Sequence, residues 1–388
     1  MPTRMNKTFL AVPVVLAAFT LSGCTLTPQQ AGGDQNVIPV PGGLVSKNVK
    51  GSVWKSEDGG QSFVVKSSVD ATHIIDTAEI LSVNFHPTKP LTIVLGTIDN
   101  GVFRTENGGE TWTPIVFPPK RIYSFIIDRR DPDTRMFASG VMNGQGKIFR
   151  TDDSGANWKA VYTEPGSDTF VSALAQDPWN ADIIYAGTNA GTLLRSDDAG
   201  DTWKNLGGKP EYGIVSYIVF DAKQRNSLSF LAYEKKTYHS SDGGNTWIDW
   251  DTVRAQEQRQ ALLKGDIPAP GGEATPGQIL YLTADPTQSG VLFAGTSQSG
   301  VFRSDNKGKS WTKLNIIDSA SKFPIRSIAI DPKNSRNIIF IAGKTTYRST
   351  DAGATWSVTE INTDRAASVI TYDPFDPRFL FLGLRNAK

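Results

Sequence analysis

The pattern Ser/Thr-x-Asp/Asn-x-Gly-x-x-Trp/Phe occurs seven times in this 388-residue chain. The copies are Ser56–Phe63, Thr105–Trp112, Thr151–Trp158, Ser196–Trp203, Ser240–Trp247, Ser304–Trp311 and Ser349–Trp356, and their start-to-start steps are 49, 46, 45, 44, 64 and 45 residues. A near-constant period of this length, built from β-rich units, points to propeller blades: each unit buries its apolar face only against the next.

The unit around the last copy shows the internal order. Ile325–Ile330 alternates and stops at Asp331-Pro332, Asn337–Gly343 is a second strand, Thr345–Arg348 a third, and a fourth begins at Thr355 after the box. The region opens at Gly51–Trp54, which reads as a third strand, and closes with Ser368–Tyr372 and Phe379–Leu384, a first and a second strand with no box after them. These halves complement each other. The expectation is an all-β fold: a single seven-bladed β-propeller over residues 48–388, with four-stranded antiparallel blades, closed by a mixed blade from both chain ends.

The box reads as a turn device. Its carboxylate or amide (Asp58, Asn107, Asp153, Asp198, Asp242, Asn306, Asp351) and its hydroxyl bond turn backbone, and its Gly supplies a conformation costly for other residues. Trp112, Trp158, Trp203, Trp247, Trp311 and Trp356 supply apolar area between sheets. No glutamate follows at calcium-loop spacing, so these positions are assigned to structure and no metal or cofactor is expected. The residue before each box is basic (Lys55, Arg104, Arg150, Arg195, His239, Arg303, Arg348), which fits stacking on an aromatic ring or pairing with a carboxylate.

The N-terminus carries Arg4 and Lys7, an apolar run from Thr8 to Leu21, and then Leu21-Ser22-Gly23-Cys24. This resembles a bacterial lipobox, which implies cleavage after residue 23 and a diacylglycerol on Cys24, the one cysteine of the chain. Residues 24–47, rich in Pro, Gln and Gly, read as a flexible tether. The expected location is the cell envelope, lipid-anchored to a bacterial membrane and facing the periplasm or exterior. The formal net charge is +1, and −1 without Arg4 and Lys7, which argues against nucleic acid as a partner.

The boxes resemble the Asp-box (BNR) repeat families, with residues 191–203 close to the consensus unit. That group includes sialidases, xyloglucanases, sortilin ectodomains and photosystem II stability/assembly factors. The resemblance implies the fold and leaves activity open. Sialidases carry fewer blades, an arginine triad and a Phe-Arg-Ile-Pro signature, whose letters are only scrambled in Phe323-Pro324-Ile325-Arg326. Xyloglucanases place catalytic aspartates between two propellers, and this chain has room for one. Sortilin ectodomains have more blades and a cysteine-rich module. The assembly factors match best in format: one propeller, exported, without enzymatic activity.

A site is expected on the face that carries the fourth-to-first and second-to-third strand loops. Near the starts of the innermost strands lie Glu79, Arg121, Tyr123, Phe170, Tyr212, Arg326 and Arg365, a set suited to an anionic or sugar ligand. The segment 248–278 explains the 64-residue step; it holds a short helix, Val253–Lys264, exposing Arg254 and Arg259, then a Pro/Gly-rich return over 267–277. No catalytic triad is recognisable. The leading expectation is therefore a non-enzymatic, monomeric, membrane-tethered propeller that binds an envelope protein. The alternative is a glycan-binding or glycoside-hydrolase-like propeller, with carbohydrate as the ligand.

Overall fold

Short runs of β-branched and aromatic residues, separated by Asp- and Gly-rich turns, favour antiparallel hairpins over any longer-range pairing. The computed structural model describes residues 50–119, 121–208, 210–264, 276–316 and 322–386. They form seven antiparallel sheets whose innermost strands contact one another in sequence around a channel, the last meeting the first. Those strands are Ile80–Phe85, Ile122–Ile127, Val171–Gln176, Val215–Phe220, Ile279–Ala284, Ile325–Ile330 and Ala366–Tyr372, in blades 1 to 7. The seven-bladed propeller is as expected. Cys24, the lipobox, the tether and most of the Pro/Gly-rich return lie outside the described residues. Among the described residues no helix is long and apolar enough to cross a membrane.

Blade 7 is the mixed blade. Its order is Val64–Val65, Val53–Ser56, Leu380–Arg385, Ala366–Tyr372, and the two chain ends pair as Trp54 with Leu382 and Lys55 with Phe381. Closure leaves no sheet edge inside the ring.

Alternation along each second strand builds the core. In Ile338–Ala342, Ile338 and Phe340 pack towards Phe293 of blade 5, while Ile339 and Ile341 pack towards Leu380 and Leu382 of blade 7. One strand thus stitches two interfaces.

Blade 4 departs from the four-stranded pattern. It has three strands, Val215–Phe220, Leu228–Ala232 and Thr237–Ser240, and its fourth is reduced to a bridge between His239 and Ile248. The cause is local. Asp249 accepts from the backbone N–H groups of Asp251 and Thr252 and caps helix α1, Trp250–Leu263, which draws the chain out of the sheet.

All seven boxes share one geometry. The Ser or Thr hydroxyl accepts from the box glycine N–H at 2.8–3.0 Å and donates to the Asp or Asn oxygen at 2.7–3.0 Å. In the box of blade 3, Gly200 has φ +82°, and a Cβ there would sit 2.5 Å from the Phe137 ring of blade 2. Glycine is required both by the turn and by the neighbouring blade.

Candidate functional site

A register shift occurs at the start of every innermost strand, as between Ile122 and Ser124, Val171 and Ala173, or Ile325 and Ile328. Such a bulge re-aims the residue it inserts. In blades 3 and 7 that residue is a serine that clamps the next blade: Ser172 Oγ donates to the Val215 carbonyl at 2.6 Å and Ser368 Oγ to the Ile80 carbonyl at 2.6 Å. In blades 2 and 6 the same position holds Tyr123 and Arg326, and these long side chains enter the channel mouth instead.

Arg326 reaches furthest. Its Nη1 donates to the Tyr233 hydroxyl at 3.1 Å, linking blade 6 to blade 4 past blade 5. Tyr217 and Tyr281 meet edge to face just inside, with ring centroids 4.9 Å apart. Burial pushes both hydroxyls up. Beyond these rings the channel is a cavity of about 450 Å³ lined mostly by apolar side chains, among them Pro286, Pro332 and Pro374, with the hydroxyls of Ser82, Thr283, Ser368 and Thr371. None of the side chains that line this cavity is charged.

On the far side of the mouth, Glu79 accepts from the Asn386 N–H at 3.0 Å. Burial holds the Arg385 guanidinium below its ordinary value, neighbouring Arg326 pushes the same way, and Glu79 opposes both. Arg365, 8% exposed, donates to Ser52 Oγ and to the carbonyls of Asp76 and Ala78. Burial lowers its pKa also, against the field of Glu79, Asp364 and Asp76.

The other expected residues are placed as follows. Arg121 donates to Asp99 in a two-pronged pair at 3.0 and 3.2 Å, and that hydrogen bonding raises its pKa. Tyr123 and Phe170 stack at 4.1 Å with planes 25° apart, giving a two-ring aromatic platform across blades 2 and 3 that presents its outer ring face. Tyr212 lies in the core against Phe230 and Tyr238, because the turn Pro210–Tyr212 carries it inward. Arg254 pairs with Asp251 and the Lys309 carbonyl, pinning the helix to the box of blade 5, away from the mouth; Arg259 is exposed on the same helix. Arg385, Tyr233, Tyr217, Asp76 and Asp364 join the site without having been singled out in the sequence. Among the described residues no group of three His, Cys, Asp or Glu side chains could hold a metal ion.

The family model described as Sortilin-Vps10 (sortilin, neurotensin receptor 3) matches residues 146–264. The curated relatives that match are xyloglucanases. That of Acetivibrio thermocellus is 26% identical over 309 residues, covering 66% of this chain and 35% of the relative. This chain thus spans about a third of the length of the curated relatives it matches. Among solved structures, the GH74 xyloglucanase of Xanthomonas campestris superposes with a TM-score of 0.62 at 17% identity, over 79% of this chain and 51% of that one. YCF48 from Cyanidioschyzon merolae superposes with a TM-score of 0.54 at 15% identity, over 79% and 95%. At these identities the two structures share the fold with this chain.

The resemblance to sortilin-like, xyloglucanase and assembly-factor propellers therefore stands. The expectation of a non-enzymatic scaffold for an envelope protein does not. Sequence relationship over two thirds of the chain runs to glycoside hydrolases, which favours the carbohydrate alternative. The reason for the error is physical. The boxes and turns that dominate the sequence specify blades, and blades are common to enzymes and scaffolds.

Proposed function

We propose that this propeller recognises and cleaves a β-glucan of the xyloglucan type at the channel mouth. The observation that carries this reading is the 26% identity to a xyloglucanase across 66% of the chain. The mouth offers matching chemistry. The Tyr123–Phe170 platform suits the face of a sugar ring, and Arg326 and Tyr233 offer donors to its hydroxyls. Hydrolysis adds water across the bond between the anomeric carbon and the leaving oxygen. It needs one carboxyl group to protonate that oxygen and a second to activate the water or attack the carbon, about 5–10 Å apart. Glu79 is assigned the first role, and Asp364, beside Arg365 in the chain, or Asp76, whose carbonyl Arg365 holds, the second.

The test is release of reducing ends from xyloglucan and from mixed-linkage β-glucan, with binding followed by affinity electrophoresis. Cleavage lost in Glu79→Gln and Asp364→Asn, with binding kept, supports the full reading. Binding without cleavage by the native protein reduces it to glycan recognition; neither binding nor cleavage overturns it. We further assign Cys24 as a lipid anchor holding the propeller at an envelope membrane. Cys24→Ala should then release the protein from the membrane fraction, and unchanged membrane association would remove the anchor from the reading.

A further inference from the structure

Four arginines surround the channel mouth, and they fall into two kinds. Arg121 is neutralised by Asp99, and Arg365 donates through its two terminal nitrogens to Ser52 and to backbone carbonyls. Arg326 and Arg385 are different. Like Arg365, each has an enclosed Nε without a hydrogen-bond partner and, among the described residues, no ion pair; but where the terminal nitrogens of Arg365 are held by Ser52 and by carbonyls, Arg326 has the Tyr233 hydroxyl alone and Arg385 has no side-chain hydrogen bond among the described residues. The bond of Arg326 to the Tyr233 hydroxyl fixes its guanidinium within the mouth without neutralising it. Glu79, the nearby carboxylate, already accepts from the Asn386 N–H and also acts on Arg365. Two cations are thus brought together, partly desolvated and short of acceptors. Such an arrangement is costly unless an anion completes it.

We infer that Arg326 and Arg385 form an oxyanion subsite that takes the carboxylate of a uronic-acid residue in an acidic glycan. This rests on the glycan reading above and extends it to chains that carry an acid, since the hydroxyls of a neutral β-glucan accept hydrogen bonds but bring no charge to balance the pair. A planar guanidinium fork matches a carboxylate in two-pronged geometry. The rings of Tyr217, Tyr233 and Tyr281 stand beside the pair and suit the body of the sugar that carries the acid. The mouth is also walled by the Tyr123–Phe170 platform, so neighbouring sugars of a chain would find an aromatic surface.

Isothermal titration calorimetry tests this with a glucuronate-bearing oligosaccharide, the same oligosaccharide with its carboxyl group reduced to the alcohol, an acidic peptide, and inorganic phosphate. The acidic oligosaccharide is expected to bind at least about tenfold more tightly than its reduced form, and added salt should shrink the difference. Arg385→Gln should abolish that preference while leaving the affinity for the reduced form unchanged, and Arg326→Gln should abolish it while also weakening the reduced form, whose hydroxyls lose a donor. Arg326→Lys and Arg385→Lys, which keep the charge and lose the fork, should retain part of the preference. Thermal midpoints of all variants report that the propeller is intact. If both oligosaccharides bind equally, the subsite is wrong and the glycan reading survives. If phosphate or the peptide binds in an arginine-dependent way and the acidic oligosaccharide does not, the occupant is wrong. If no glycan binds at all, both readings fail together.

Discussion

The indole Nε1 of Trp250 donates to the carbonyl of Lys307 at 3.0 Å. That carbonyl immediately precedes the box glycine of blade 5, and at other junctions an arginine reaches its equivalent. Arg150 donates to Ala199 at 3.0 Å, Arg195 to Gly243 at 3.0 Å and Arg348 to Gly59 at 2.7 Å, each from the residue before one box to the box of the next blade. Blade 4 carries His239 at this position. The imidazole is too short to cross, and it stacks on Trp250 instead, with ring centroids 6.5 Å apart. Helix α1 therefore supplies the missing junction, and Arg254 adds a bond to the Lys309 carbonyl. Trp250→Phe, which removes the donor and keeps an aromatic ring of smaller area, should lower unfolding stability by about 1–2 kcal/mol in a denaturant titration. Trp250→Ala should cost about 2–4 kcal/mol through lost packing. If Trp250→Phe unfolds at the native midpoint, the hydrogen bond contributes nothing to the junction.

His239 also makes stability depend on pH. It is 2% exposed, its Nδ1 and Nε2 each lie 3.0 Å from a serine hydroxyl (Ser229 and Ser241), and burial, helped by Lys307, lowers its pKa from 6.5 to about 4. Between those values the unfolded chain takes up a proton that the folded protein refuses. Stability is then fully present above pH 6.5 and falls as the pH drops towards 4. The loss expected by pH 4 is about 2–3 kcal/mol from this group. His239→Asn should flatten the profile of unfolding free energy over this window, and a native-like slope in that variant would assign the pH dependence to other groups.

The fold was far more legible in the sequence than the site. Each box is a local signal: a hydroxyl, a carboxylate and a glycine within a few residues, so a single chain segment reveals it. The mouth is assembled differently. Tyr233 and Arg385 sit at the ends of second strands in blades 4 and 7, and only ring closure brings them to Arg326 and Glu79. Asp76 and Asp364 are separated by nearly the whole propeller in sequence, yet Arg365, beside Asp364, donates to the Asp76 carbonyl. A recurring signal was available: a bulge heads every innermost strand, and the residue it re-aims clamps the next blade in blades 3 and 7 and is Tyr123 or Arg326 in blades 2 and 6. Tyr212 shows the converse. Its position in the sequence pointed to the mouth, but a tight turn buries it among aromatic rings.

The shared geometry of the boxes predicts which substitutions they accept. Ser196 is fully buried, accepts from the Gly200 N–H at 2.8 Å and donates to Asp198 at 2.8 Å. Ser196→Ala leaves that N–H buried without an acceptor and should cost about 1–3 kcal/mol. Ser196→Thr should change stability by no more than about 0.5 kcal/mol, because Thr105 and Thr151 already fill the same position in blades 1 and 2. Equal losses in the two variants would mean that packing, not the hydroxyl, sets the requirement.

Arg365 predicts how the ring opens. It lies at the head of the last innermost strand and donates to the Asp76 carbonyl at 2.9 Å, to the Ala78 carbonyl at 2.8 Å and to Ser52 Oγ. Its partners precede the first innermost strand and the third strand of the mixed blade, so one side chain ties both ends of the chain together. Arg365→Met keeps the length and removes every donor, leaving carbonyls enclosed without partners. The expected cost is about 3 kcal/mol in denaturant unfolding. Because the tie is local, the loss should also have an address. Amide exchange in Val53–Ser56 and Ala366–Tyr372 should accelerate well beyond that in Ile184–Thr188, on the opposite side of the ring. Arg365→Lys, which keeps one donor group, should fall between. A loss of stability with exchange raised evenly in all blades would show that Arg365 supports the fold as a whole and that closure depends on the strand pairing of Trp54 with Leu382 instead.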